Sequence, residues 1–176
     1  MSQLKVNSIV PVGGLPSGAN GGIIQVVNVV KQDTFSSTTA GSFTDITGLS
    51  LSITPSSNSS KILVATCIYG HAEASSGSGI KVICGSTEIG PSSSGSRLAI
   101  NGAEAGDGNE PSHAVNPIHN QTLLFSPAST SAQTVKAQFF IHPDGGTFYI
   151  NKSDQDNNNT GYVRTVSTIT AMEITA

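Results

Sequence analysis

From residue 23 to its end the chain repeats one figure, a short run rich in Val, Ile, Thr and Phe followed by a break of Gly, Ser, Asn or Pro. Branched and aromatic side chains suit a pleated, half-buried surface, and the breaks are turn formers. No segment sustains a helical period. The runs predict ten strands, at residues 23–31, 43–46, 49–54, 61–71, 80–84, 97–100, 122–125, 134–142, 147–151 and 167–174. That many short strands in one domain close as a sandwich or a barrel.

The strands are of two kinds. In residues 49–54 (Leu-Ser-Leu-Ser-Ile-Thr) the apolar side chains all fall on one face of the pleat, so the strand covers a core on one side only. Residues 61–69 (Lys-Ile-Leu-Val-Ala-Thr-Cys-Ile-Tyr) are apolar on both faces. A strand central to a sandwich, or pressed against a neighbouring subunit, tolerates that pattern. Asp144-Gly145, between the runs at 134–142 and 147–151, predicts a hairpin, because a tight primed turn needs positive φ and this pair supplies it.

Composition narrows the class. The 176 residues suit one domain. Hydrophobic residues are 36% and charged residues only 11%, so the core is thin and the surface is polar without being charged. Disorder of the usual kind combines low hydrophobicity with high net charge, and here the net charge is −3. The scattered basic residues give no footprint for nucleic acid. No run reaches the length of a membrane span, and the start lacks the basic and apolar regions of a secretory signal, which predicts assembly in the cytoplasm. Cys67 and Cys84 each lie in an apolar run, where a buried pair of free thiols is expected in preference to a disulfide.

Residues 1–22 stand apart: spaced apolar residues give way to a stretch dominated by Gly, which reads as an arm and linker. Such a segment buries too little to order itself and needs a partner. Leu4, Val6, Ile9, Val10 and Val12 are its candidate apolar anchors, with backbone strand addition supplying hydrogen bonds. The long irregular stretch 101–120 and the polar stretch 151–160 are the candidate outward loops. Within them the candidate contact residues are Asn101, Glu104, Asp107, Asn109, His113, Asn116, His119, Asp154, Asp156 and Asn158.

Catalytic signatures are missing. There is no Gly-x-Ser-x-Gly elbow, residues 13–18 lack the Lys of a phosphate loop, and no βαβ layout carries a dinucleotide fingerprint. His113 and His119 share a loop without a metal-ligand spacing, and the calcium-like string 154–158 has Asn159 where a sharp-turn Gly belongs and Thr165 where a bidentate Glu belongs. Acidic residues fall mostly in loops, and there is no Trp to stack on a sugar ring. The expectation is a protein that is not an enzyme, with no cofactor and no metal.

Three strings carry a resemblance: Leu4-Lys5-Val6-Asn7-Ser8-Ile9-Val10-Pro11-Val12-Gly13-Gly14, Ile23-Ile24-Gln25-Val26-Val27-Asn28-Val29-Val30-Lys31-Gln32-Asp33-Thr34-Phe35, and Ser167-Thr168-Ile169-Thr170-Ala171-Met172-Glu173-Ile174. With Phe43-Thr44-Asp45-Ile46-Thr47-Gly48-Leu49, Ile53-Thr54-Pro55 and Ser60-Lys61-Ile62-Leu63-Val64, they resemble tail-fibre-like virion proteins of marine tailed bacteriophages, particularly those of cyanobacteria. The resemblance implies a particle-anchoring arm, a trimerising β-sandwich and distal loops that vary with the host. The chain is short for a fibre and has no extended shaft.

The reading is an all-β protein: a β-sandwich of jelly-roll type over residues 23–176, with residues 1–22 as an extended attachment arm, forming a homotrimer. Its expected place is the phage particle surface, its partners other tail or capsid proteins and a host surface glycan, with no nucleic acid and no membrane insertion. Alternatives are a capsid decoration, cement or head-fibre protein, an assembly chaperone, or a carbohydrate-binding or glycan-cleaving module.

Overall fold

The computed structural model describes residues 22–73, 77–93, 95–104 and 115–175. Its strands, in chain order, are β1 Ile23–Lys31, β2 Phe35–Ser37, β3 Thr44–Ile53, β4 Lys61–Glu73, β5 Ser78–Cys84, β6 Thr87–Glu88, β7 Gly102–Glu104, β8 Asn116–Phe125, β9 Gln133–Ile141, β10 Thr147–Ile150 and β11 Ser167–Ile174. All the pairings are antiparallel.

Two sheets of four rows result. Along one edge of β4, β11 pairs with Lys61 to Cys67 and β10 with Gly70 to Glu73, so β10 and β11 lie end to end in a single row. β1 and β2 form the next row outward, against β11 and β10, and β8 lies on the other side of β4. The second sheet runs β3, β9, β5, with β6 and β7 sharing the last row beside β5. The pairing is nested: the first strands take the last, β3 takes β9, β4 takes β8, and β5 takes β6 and β7. A long hairpin rolled up in this way is a jelly roll, the architecture expected from the strand runs and the resemblance.

Alternation builds the core between the sheets. Ile62, Val64 and Ile68 of β4 and Ile169 and Ala171 of β11 point inward, against Ile80 and Val82 of β5 and Val135, Ala137 and Phe139 of β9. Phe139 stacks on Phe148 of the opposite sheet at 5.2 Å and meets Phe35 edge-on at 5.7 Å. Each buried Val, Ile or Phe among them contributes roughly 1.5–3 kcal/mol by leaving water, and here the contribution falls on both sheets at once.

Four expectations are corrected. Asp144-Gly145 does not close a hairpin, because β9 belongs to the second sheet and β10 to the first. The turn is real, with Gly145 at φ 91° and its N–H donating to the His142 carbonyl at 3.0 Å, but it carries the chain over a corner of the sandwich. The runs at 43–46 and 49–54 are one strand, β3, continued through a bulge that Gly48 absorbs at φ 86°. The run at 97–100 is not an extended strand, and Asn116 to Asn120, expected to be loop, is the first half of β8. Pro117 is tolerated there because β8 is an edge row.

Both cysteines are free thiols, but they are not a buried pair. Cys84 faces the core, where burial pushes its thiol up to about 11. Cys67 is half-buried on the outer side of β4, in the other sheet.

Candidate interaction surfaces

The loop between β10 and β11, residues 151–166, is built around Asn151. This residue is fully buried and sits at φ 61°, a conformation that Asn tolerates better than most side chains. Its Nδ2 donates to the carbonyls of Lys31 at 2.8 Å and Asp33 at 3.0 Å, while its Oδ1 accepts from the Ser167 hydroxyl at 2.6 Å. One amide thus ties the loop base to the β1–β2 row and to the start of β11.

Beyond that base the loop holds itself together. Arg164 binds Asp156 with two parallel hydrogen bonds, 3.0 and 2.7 Å long, and the guanidinium keeps that carboxyl below its ordinary value against the opposing effect of burial. The Tyr162 hydroxyl donates to Gln155 Oε1 at 2.9 Å, and Asn157 donates to the same oxygen at 3.2 Å. Asp156, Asn157, Asn158, Asn159, Tyr162 and Arg164 line a groove of about 500 Å³. The calcium-like string therefore folds with its Asp156 carboxylate engaged by Arg164. The groove offers amides, a phenol and a guanidinium, groups that exchange hydrogen bonds with a hydroxyl-rich ligand.

The candidate contact residues divide. Asn158 is exposed, Asp154 and Asp156 are half-buried in the same loop, and Asn116 is exposed at the start of β8. Glu104 ends β7. Two residues expected to face outward turn inward. Asn101, only 9% exposed, accepts from the Val82 N–H at 2.8 Å and donates to the Ile89 carbonyl, bridging β5 to the chain beyond β6. His119, 1% exposed, meets the Thr66 hydroxyl through Nδ1, has no partner for Nε2 among the described residues, and is pushed down to about 4 by burial. Asn101 is a polar group satisfied inside the sandwich and His119 one held there through a single ring nitrogen, and loop composition distinguishes neither from a contact residue. Asp107, Asn109 and His113, together with Leu4, Val6, Ile9, Val10 and Val12, lie outside the described residues.

The outer faces of the two sheets are the other candidate surfaces. Side chains that pair across strands share a face, so the register gives each face row by row. On the first sheet the rows are Val26, Met172, Leu63, Leu124; then Asn28, Thr170, Ala65, Thr122; then Val30, Thr168, Cys67, Asn120. No charged residue occurs among them. Val26, Val30 and Leu124 are 59%, 49% and 53% exposed. The second sheet instead presents Asp45, Gln138 and Lys81, then Ser50, Lys136, Ile83 and Glu88. There Asp45 accepts from Lys136 at 2.8 Å and Gln138 at 2.6 Å, Lys81 pairs with Glu88, and the Lys81 ammonium lies 3.8 Å from the centre of the Phe43 ring.

No protein-family model matches the chain, and no curated protein matches it. Among solved structures it is similar to the crystal structure of the infectious bursal disease virus VP2 subviral particle, with 14% identity and a TM-score of 0.37. That alignment covers 94% of this chain and 44% of the other, so the chain spans less than half of that protein's length. The jelly-roll assignment rests on strand order and nested pairing, independently of this likeness.

Proposed function

We propose that the chain is a non-enzymatic structural subunit of a tailed-phage particle, tail-fibre-like and homotrimeric, held to the particle through residues 1–22 and presenting its 151–166 loop to a host surface glycan. The observation that carries this reading is the polarity of the sandwich. Gly22, where residues 1–21 join, accepts a hydrogen bond from Thr175 at 3.0 Å, beside Ile23, Ile174 and Lys61 at one end of the first sheet. The 151–166 loop leaves the same sheet at the level of Tyr69, whose carbonyl accepts from the Asn151 N–H at 3.0 Å. Lys61 and Tyr69 are eight residues apart on one strand, which at ~3.3 Å each is about 26 Å. An attachment segment at one end and a hydrogen-bonding groove displaced from it let a subunit be anchored and still reach outward. The resemblance of the strings at 4–14, 23–35 and 167–174 to phage fibre-like proteins points the same way.

Immunogold labelling of purified phage particles with antibody raised against residues 151–166 tests the proposal. Gold at the outer end of tail appendages is the expected result. Gold spread over the head would replace the fibre reading with a decoration role, and particles that lack the chain altogether would leave an assembly chaperone. The glycan part is tested separately, by binding of the purified protein to host surface polysaccharide. Asn158→Ala, on an exposed side chain, is expected to weaken that binding without changing the fold.

A further inference from the structure

The outer face of the first sheet is uncharged over three full rows, while the second sheet carries Asp45, Lys81, Lys136 and Glu88 on its own. Solvent alone does not require such a difference in a chain whose surface is already polar. Val26, Met172, Leu63 and Leu124 run as one apolar row across all four strands, flanked by a row of small uncharged groups, Asn28, Thr170, Ala65 and Thr122, and then by Val30, Thr168, Cys67 and Asn120. Asn28, the most polar side chain of the middle row, already donates to Thr170 Oγ1 at 2.7 Å.

We propose that this face is the contact surface for further copies of the same chain. Charge selects the occupant. A basic or acidic partner finds nothing here to pair with, whereas a copy of this face brings an equally uncharged surface and leaves no charge stranded on burial. Area is at the low end for a specific contact. Four strands at ~4.8 Å and five rows at about 6.6 Å, from the row of Ile174, where Lys61 gives the patch a charged rim, to that of Tyr69, span roughly 600 Å², against the ~800 Å² each partner contributes to a standard stable interface. A two-fold related copy sets the apolar row against its own image. In a three-fold arrangement the face instead meets the adjacent β1 or β8 edge, where Val26 and Leu124 are the most exposed large apolar groups. The inference does not depend on the phage reading, since particle labelling can fail while the copies still associate.

Cys67 provides a reporter from inside the face, because the second thiol, Cys84, is sealed in the core. The experiment is light scattering on the full chain from low micromolar to submillimolar concentration, with the rate of Cys67 alkylation by a maleimide measured on the same samples. The expected result is a dimer or trimer in which alkylation slows as association proceeds. Val26→Lys and Leu124→Lys are expected to weaken association at least ~10-fold, because each buries an unpaired charge in the contact, and to restore fast alkylation. Thr122→Lys, at a site with no apolar packing to lose, repeats the test should either variant fold poorly, and Ser52→Lys on the opposite face is expected to change nothing. An oligomer that survives the substitutions, or a monomer with a fully reactive Cys67 throughout, overturns the proposal. So does a monomer with a protected Cys67, which would give the face to another segment of its own chain.

Discussion

The two outer faces of the sandwich stand on the same pleat and differ in what the pleat carries. The second sheet answers water with charge: Asp45 gathers Lys136 and Gln138, and Lys81 lies between Glu88 and the Phe43 ring. Over its three central rows the first sheet answers with Val, Leu, Met, Ala, Thr, Asn and Cys and no charge, Lys61 and Glu73 standing beyond those rows at the two ends of β4. Charged side chains on a sheet keep other strands and sheets away. Their presence on one face and absence from the other separates a solvated surface from one suited to contact, although both cover the same core.

That comparison can be broken most drastically by cutting what joins the two faces. Phe139 belongs to the second sheet but stacks on Phe148 of the first, so Phe139→Ala is expected to cost about 3–5 kcal/mol in denaturant unfolding, with both sheets lost in one transition. Separate transitions for the two sheets would show that they do not share one cooperative core.

The next effect lies just beneath the uncharged face. His119 titrates at about 4 in the folded chain against an ordinary 6.5. The unfolded chain therefore binds the proton more readily, and stability that is complete above pH 6.5 falls as the pH drops toward 4. The loss reaches about 3 kcal/mol from this group. His119→Gln is expected to flatten the curve of unfolding free energy between pH 6.5 and 4.5, above the range in which the depressed Asp45, Asp156 and Glu173 carboxyls titrate. An unchanged slope would mean that some other group carries the acid sensitivity.

The charged face should prove weaker than it looks. Asp45 is more than half exposed, so Asp45→Ala is expected to cost under ~1 kcal/mol, and less in high salt. Smallest of all is the effect of Leu124→Lys on the stability of the isolated monomer, expected within about 0.5 kcal/mol because the side chain is already in water. A large destabilisation there would mean that the face supports its own fold rather than a contact.

Much of this architecture is legible in the sequence where a strand pairs along its whole length. The bounds of β1 and β11 follow from runs of branched side chains set between turn formers, although β1 carries apolar residues on both faces, Val27 and Val29 toward the core and Val26 and Val30 outside. β2, β6 and β7 do not follow, since two or three residues carry no period and become strands only because a longer neighbour offers its edge. Asp144-Gly145 marks a turn but not which sheet the chain enters next, a choice made by the packing of Phe139 on Phe148. The uncharged face was half visible, in the apolar outer positions of Leu63, Ala65 and Cys67. Its rows exist only once register sets Val26, Met172, Leu63 and Leu124 side by side. Asn101, His119 and Asn151 look like loop residues by type and act as buried pins, a distinction that hydrogen-bond partners make and composition cannot.

The nested pairing also sets an order of events as the chain is made. β5 finds β6 and β7 almost at once, while β1, the earliest of the described strands, must wait for β11, its Asn28 amide reaching a carbonyl 141 positions away. Contacts so distant in sequence form slowly. Until then Ile23 to Val30 are eight uncharged, strand-forming residues with no Pro among them, the kind of segment that pairs with whatever edge comes first. On a polysome crowded with nascent copies of the same chain, that edge can belong to a neighbour, and the interval before β11 emerges is the window in which exchange between copies is set or avoided.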